Sequence, residues 1–574
     1  MSATDNIITR IYSNFRGADF RGLEVNLLRS PDCFNVWKDY KNTESIRTRP
    51  ALEKFTLLPQ KEKVYGIFFY DGRILAHIGT GLYEIMKGNY SETGEWISTF
   101  SPLYIGLNES ASSAFIYDNI FYLKDGLHYF KYDGETIRYV EGYIPTTTIG
   151  RKPEGGGTKH EDVNMISPYR KNSFLADGVS FSFFLDTINI DSSYPPIVEV
   201  NGETVPSSLY EVDYEQGKIE FIQFPPDTPA TDGKDNVFIT FKKDVPKYKE
   251  CIEKCTLLQV FDNRVFFSGN PDYPNMVWHS SLDDPSYVSD LDYYNEGMDN
   301  AAVKGLVAGN NALWVFREPS ASNTTVFYHT PAIDDTYGKV YPSSHSSITT
   351  GCVGKAINFN DDIVFFSERG MEGISGDITT EQMIAHRSSV VDNKLTTEKD
   401  YSNMVLTEWE GYLIVFIGNK AYLADSRAVY TNVNHFEYEW FYWELEEEVT
   451  CATVINGDLY LGTKNGGVYT LTDTTSAIES YWTTPLDKFD YPHRLKTTNK
   501  RGCVVEATGD ISVYAKLENT DFELIGTYEN ITDYFVSRIK RKKFKDIQLK
   551  FYSNNRFSLE TASIEVFIGG YIKR

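Results

Sequence analysis

The sequence predicts an all-β protein built as a β-propeller, with about seven hairpin repeats and six to eight blades. A small inserted β-domain and a C-terminal β-sandwich-like module complete the expected fold. Three observations lead there. The first is a recurring phrase of an apolar strand, a two-residue turn and a second strand rich in aromatic residues. It reads VYGIFFYDGRILAHIGTGLYEIM at 64–86, SAFIYDNIFYLKDGLHYFKYDG at 113–134 and YSNMVLTEWEGYLIVFIGNKAYLADSR at 401–427. The turn pairs are Asp71-Gly72, Asp118-Asn119, Asp262-Asn263, Asn310-Asn311, Asp361-Asp362, Glu410-Gly411 and Asn456-Gly457. These residue types tolerate the positive φ that a tight hairpin turn demands. The second observation is the period: the turns recur at roughly 45–52 residues, with one gap of about 145, and such spacing belongs to propeller blades. The third is composition, since 40 Tyr and 36 Phe favour strands over helices.

The elements follow in order. Residues 1–55 read as an arm or platform segment, because Asn, Asp and Pro keep the backbone in turns around a short apolar anchor at Val36 and Trp37. Residues 56–145 hold the first blades. Residues 146–250 fill the long gap and read as an inserted β-domain. It opens on an exposed glycine-rich loop from Gly150, followed by alternating strands such as IVEVNGETV and NVFITFKK. Residues 251–475 carry the remaining blades, with two polar loop-like stretches at 281–300 and 329–351. The second is rich in Ser and Thr and reads as a rim loop, or as a constriction or docking loop. The aromatic-then-acidic run at 435–449 places Glu446, Glu447 and Glu448 toward solvent, or toward an acidic collar. Residues 476–574 form the terminal β module.

Composition narrows the function. The net charge of −24 opposes general binding to a nucleic-acid backbone. It serves solubility, or it lines a passage through which nucleic acid slides without sticking. No apolar run reaches the length of a membrane-spanning helix, and the opening residues lack a secretion signal. The six Cys are scattered, with one close pair in CIEKC at 251–255, and read as small buried apolar residues. There is no HExxH, no GxxxxGK[ST] and no GxSxG, so no catalytic residue, metal or cofactor is expected. Carboxylates are abundant enough that a glycosidase-like pair stays open. One basic run, RIKRKKFK at 538–545, stands out from the acidic background. Its plain reading is a charged edge strand that resists aggregation. Its sharper reading is a partner-contacting strip of Arg538, Lys540, Arg541, Lys542 and Lys543, facing an acidic neighbour or DNA.

Three collinear stretches carry a resemblance. SPDCFNVWKDYKNTESIRTRP at 30–50, NRVFFSGNPDYPNMVWHSSLDDPSY at 263–287 and SYWTTPLDKFDYPHRLKTTNK at 480–500 resemble tail nozzle proteins of short-tailed phages. Those proteins are also called tail tubular protein B, and related packaged-DNA stabilisation proteins share the likeness. The sequence departs from that pattern at Ala51, where the family often has Gly. The resemblance implies a virion protein, assembled in the host cytoplasm. It would form a ring of copies, usually six, that extends the portal channel, retains packaged DNA and lets it pass on ejection. Implied partners are other copies of the chain, tail adaptor and portal proteins, tail fibre or spike proteins, and double-stranded DNA in transit without sequence preference. Asn35, Trp37, Arg47, Arg49 and Pro50 are then expected to dock an adaptor or the next subunit. The alternative is a receptor- or host-surface-binding propeller at the distal tail tip, with specificity in the inserted domain.

Overall fold

A computed structural model of the chain describes residues 7–39, 41–335, 338–375, 383–398, 401–432, 435–474, 476–540 and 542–572. The fold is all-β and of propeller type. Among the described residues there are seven four-stranded antiparallel sheets. They run through 64–105, 113–139, 257–295, 303–345, 356–386, 405–444 and 449–472. The chain divides into two compact units, Met1–Ile105 with Ser346–Arg574, and Gly106–His345. The blades of 64–105 and 113–139 therefore fall in different units, although the sequence joins them as one segment.

The tight turns account for the blade pattern. Each first hairpin closes over two residues, and both take positive φ, as at Asp118 (47°) with Asn119 (58°) and Asn310 (52°) with Asn311 (58°). That twist matches the twist of the flanking strands. One turn differs from expectation by a residue. Phe359 pairs with Asp362, so the loop is Asn360-Asp361, and Asp362 begins the next strand. The run NDD offers two pairs of equal chemistry, and the register is set instead by the buried Ile363, Val364, Phe365 and Phe366.

The blade of 449–472 supplies only three of its own strands. Its fourth is Ala51–Leu57, which pairs antiparallel with Gly467–Thr472, from Gly467 opposite Leu57 to Thr472 opposite Ala51. Phe55 packs edge-on against Tyr460 at 5.1 Å, and Thr56 is fully buried. The expected boundary after residue 55 thus falls inside a strand.

The rest of the N-terminal segment is not an arm. Ile7–Tyr12, Cys33–Phe34, Val36–Asp39 and Asn42–Thr48 join an 11-stranded sheet whose other strands come from 480–571. Within it the 24-residue strand Arg494–Leu517 pairs along its first half with Phe557–Tyr571 and along its second with Ile547–Ser553. Alternate residues of Phe557–Tyr571, among them Leu559, Ala562, Ile564 and Val566, point into one core. The segment is pinned to the blade of 405–444 as well. The Ala18 amide donates to the Trp440 carbonyl at 2.6 Å, next to Gly17 at φ 76°. A Cβ at Gly17 would lie 2.3 Å from that carbonyl oxygen, so only glycine allows the approach.

The insertion carries a six-stranded and a three-stranded sheet around Phe174, Phe183, Val198, Ile219, Ile239 and Phe241. The stretch expected as a flexible loop from Gly150 is partly strand. Thr146–Arg151 pairs with Thr158–Lys159, and it also pairs in parallel with Tyr169–Phe174. The two polar stretches are likewise part of the sheets. Tyr293–Asn295 and Ser343–His345 are the fourth strands of their blades, and Ala332–Asp334 pairs with Gly338–Val340. Outer blade strands face water, so they lack the apolar alternation that marks inner ones.

Candidate functional site

The five residues expected to dock a partner converge, but inward. Trp37 is 3% exposed, stacks on Trp409 at 5.4 Å and meets Trp443 edge-on at 5.6 Å. Arg49 is 1% exposed and makes four hydrogen bonds. It donates to Asn35 Oδ1 at 3.1 Å, the Pro50 carbonyl at 3.0 Å, the Glu444 carbonyl at 2.9 Å and Glu446 Oε1 at 2.8 Å. Burial lowers the Arg49 pKa, and the Glu446 carboxylate acts in the opposite direction. Asn35 takes φ 52° and is itself saturated, since its Oδ1 also accepts the Glu444 amide at 2.8 Å and its Nδ2 donates to the Glu479 carbonyl at 3.0 Å. Arg47 bonds Asp39 at 2.6 Å and also pairs with Asp473. Asp473 in turn takes Arg556 at 3.2 Å.

This is a clasp between the N-terminal segment, the blade of 405–444 and the terminal sheet. It holds the residues expected to dock a partner. Asn35, Trp37, Arg49 and Pro50 are buried within one chain, where no partner can reach them while it stays folded. Sequence reasoning found these residues but missed their partners, because Trp409, Trp443, Glu444 and Glu446 lie some hundreds of residues away with no local signal. Glu446 thus serves the clasp while remaining exposed.

The basic run is mostly irregular, with only its end in a strand. Residues 538–540 and 542 belong to an irregular link between Tyr534–Ser537 and Lys543–Phe544, so only Lys543–Phe544, which pairs with Arg494–Leu517 alone, is edge strand. Arg541 lies outside the described residues. Arg538, Lys540, Lys542 and Lys543 are exposed, while Ile539 and Phe544 turn into the core. Lys542 sits 3.6 Å from Glu523. Among the described residues Arg538, Lys540 and Lys543 make no ion pair. Arg538, Lys540 and Lys542 rim a cleft of about 110 Å³ whose lining includes Ala515, Leu517, Leu524 and Ile525. Glu523 lines the cleft too, so cations, one carboxylate and aliphatic side chains meet there.

Two histidines, the buried His329 and the partly exposed His386, were not anticipated. His329 and Glu296 are both fully buried with Nε2 and Oε1 2.7 Å apart. Ser343 donates to the second Glu296 oxygen at 2.8 Å, and the Tyr341 carbonyl faces His329 Nδ1 at 2.9 Å. The group ties the strands Val326–His329 and Ser343–His345 to the neighbouring blade. His386 lies between Asp392 at 2.5 Å and Glu372 at 3.1 Å, and these two acceptors raise its pKa to about 9. Every polar atom named in these groups already has a partner within the fold. Among the described residues no cluster of three or more His, Cys, Asp or Glu could hold a metal ion. Nor, among the described residues, is any helix long and apolar enough to cross a membrane. The six cysteines are free.

Fold and surface together define a propeller-type β protein with an inserted β-domain, a terminal β-sheet module and a cationic cleft. No family model and no curated protein matches the chain. Among solved structures, BamB from Moraxella catarrhalis is 11% identical, with 74% of this chain and 97% of that chain covered and a TM-score of 0.32. The computationally designed Ika8 protein is 12% identical over 73% of this chain and 99% of that one, with a TM-score of 0.31. An exo-β-1,3-galactanase from Phanerochaete chrysosporium, solved with galactose, is 9% identical over 54% and 95%, with a TM-score of 0.21. Likeness at this level carries nothing about function.

Proposed function

We propose that the chain is a structural subunit of a phage tail, a nozzle protein whose copies form a ring that extends the portal channel. In this reading it works without catalysis or cofactor, holds packaged DNA in place, and lets it pass on ejection. The observation that carries the reading concerns two of the three stretches behind the family resemblance. Residues 30–50 and 480–500, far apart in sequence, pair in one sheet, with Cys33 opposite Trp482 and Phe34 opposite Tyr481. Ser30 Oγ donates to the Thr483 carbonyl at 2.7 Å. The stretches therefore form one structural unit, as a shared family signature would. The net charge of −24 supports passage without adhesion, because acidic walls repel a phosphate backbone.

Sedimentation and negative-stain imaging of the purified chain, alone and mixed with portal and adaptor proteins, test the proposal. Closed rings stacking on the adaptor are expected. A chain that stays monomeric in both conditions would sink it.

One observation favours the second reading, a host-surface-binding role through the inserted domain. That domain leaves Phe224 78% exposed, Val179 72% and Ile188 60%. Apolar side chains bared to this degree suit a contact surface. Binding of the purified monomer to host envelope material, lost on Phe224→Ser, would favour this role over the ring.

A further inference from the structure

Resting on the reading that copies assemble, we propose that the cleft rimmed by Arg538, Lys540 and Lys542 receives the Leu282-Asp283 tip of a second copy of this chain. The tip is a tight turn: Ser281 and Asp284 bridge across it, and Asp283 is held at φ 54°. Leu282 is 50% exposed there, an apolar side chain presented beside a carboxylate on a short, fixed loop. Asp118 stands nearby. Both aspartates and Asp284 act on the Tyr117 hydroxyl, which burial, followed by Asp283, Asp118 and Asp284, pushes above its ordinary range. Among the described residues none of these three carboxylates makes an ion pair. The tip thus has negative charge without a counter-charge, and among the described residues Arg538 and Lys540 on the cleft rim make no ion pair, while Lys542 sits 3.6 Å from Glu523.

The shapes agree as well as the charges. A cavity of about 150 Å³ lined by aliphatic side chains accepts a benzene ring. The cleft of about 110 Å³ is smaller, suited to an isobutyl group, and Ala515, Leu517, Leu524 and Ile525 give it apolar surface beside Glu523 and the three cations. Arg538 and Lys540 would then face Asp283 and Asp118 across the rim. Leu282 on the tip and Arg538 and Lys540 on the cleft remain exposed within a single chain. Double-stranded DNA is the weaker occupant. It offers no aliphatic side chain for the floor, and the net charge of −24 opposes its approach.

The test uses two charge-reversed variants of the full chain, R538E/K540E and D118K/D283K. Each places like charges against each other and should weaken self-association by sedimentation velocity, on the order of tenfold or more. Mixing the two restores complementary pairs and should restore assembly, and higher salt should weaken it again. Leu282→Ser, which leaves every charge in place, should weaken association too. Unchanged thermal midpoints confirm that the variants fold. Wild-type rings with unaffected variants, or folded variants that fail to rescue each other, would overturn the inference while leaving the ring reading intact. A wild-type chain that is monomeric alone and with its connectors would remove both. Anisotropy with labelled duplex DNA provides the last arm: binding abolished by R538E/K540E, with self-association unchanged, assigns the cleft to nucleic acid and overturns the proposal.

Discussion

Arg49 shows how one side chain can hold distant parts of the chain together. Its guanidinium satisfies Asn35, the Pro50 and Glu444 carbonyls and Glu446 at once. Arg49→Met is expected to destabilise this unit by about 3 kcal/mol, because it strands buried acceptors that water cannot reach. Arg49→Lys should cost nearly as much, since an ammonium cannot reproduce the planar fork. Denaturant midpoints of both variants check this. His386 gives a pH dependence whose sign follows from its partners. With its pKa raised to about 9 by Asp392 and Glu372, the folded chain keeps a proton that the unfolded chain loses near pH 6.5. Its contribution is therefore complete below about pH 6.5 and declines as pH rises through 9. Thermal midpoints measured from pH 6 to 10 should fall along this range, and His386→Gln should flatten the fall.

At the scale of elements, turn chemistry was the most legible part. Six of the seven turn pairs lie where Asp, Asn, Glu and Gly residues placed them, and the seventh slid by one residue within NDD. Glu410 is the least suited of these residues to its φ of 49°. Glu410→Asn should raise the stability of its blade by about 0.5–1 kcal/mol, whereas Asn310→Val should lower its own blade's by about 1–2 kcal/mol. Calorimetry would read both shifts. What sequence could not give were the outer strands, such as Tyr293–Asn295 and Ser343–His345, whose solvent-facing residues lack a period. Nor could it give strands paired across hundreds of residues, such as Ala51–Leu57, because local pattern contains no record of a distant partner. A chain starting at Leu58 leaves Gly467–Thr472 with a bare edge. Hydrogen exchange should then show lost protection in that strand, with aggregation as the secondary outcome.

For the whole molecule, the clasp residues stood out in the sequence as unusual, but not their direction: Trp37 and Arg49 face the core, and a conspicuous motif does not say which way its side chains turn. The cationic run was legible as charge, while its cleft depends on Leu517, Leu524 and Ile525, which carry no motif. Charge also governs solution behaviour. As pH falls from 7 toward the isoelectric point of about 4.9, mutual repulsion between copies fades. Turbidity should peak near that pH, and the peak should move upward in D118K/D283K.

The pairing of Ala51–Leu57 with Gly467–Thr472 has a consequence for biosynthesis. The first strand leaves the ribosome about 400 residues before its mate, a delay of roughly 20–80 s at ordinary elongation rates. Throughout that interval the nascent chain carries an unmated strand while six other four-stranded sheets are synthesised. The final blade can form only once synthesis has passed residue 472, so its completion is a late act, timed by translation and open to a chaperone until then.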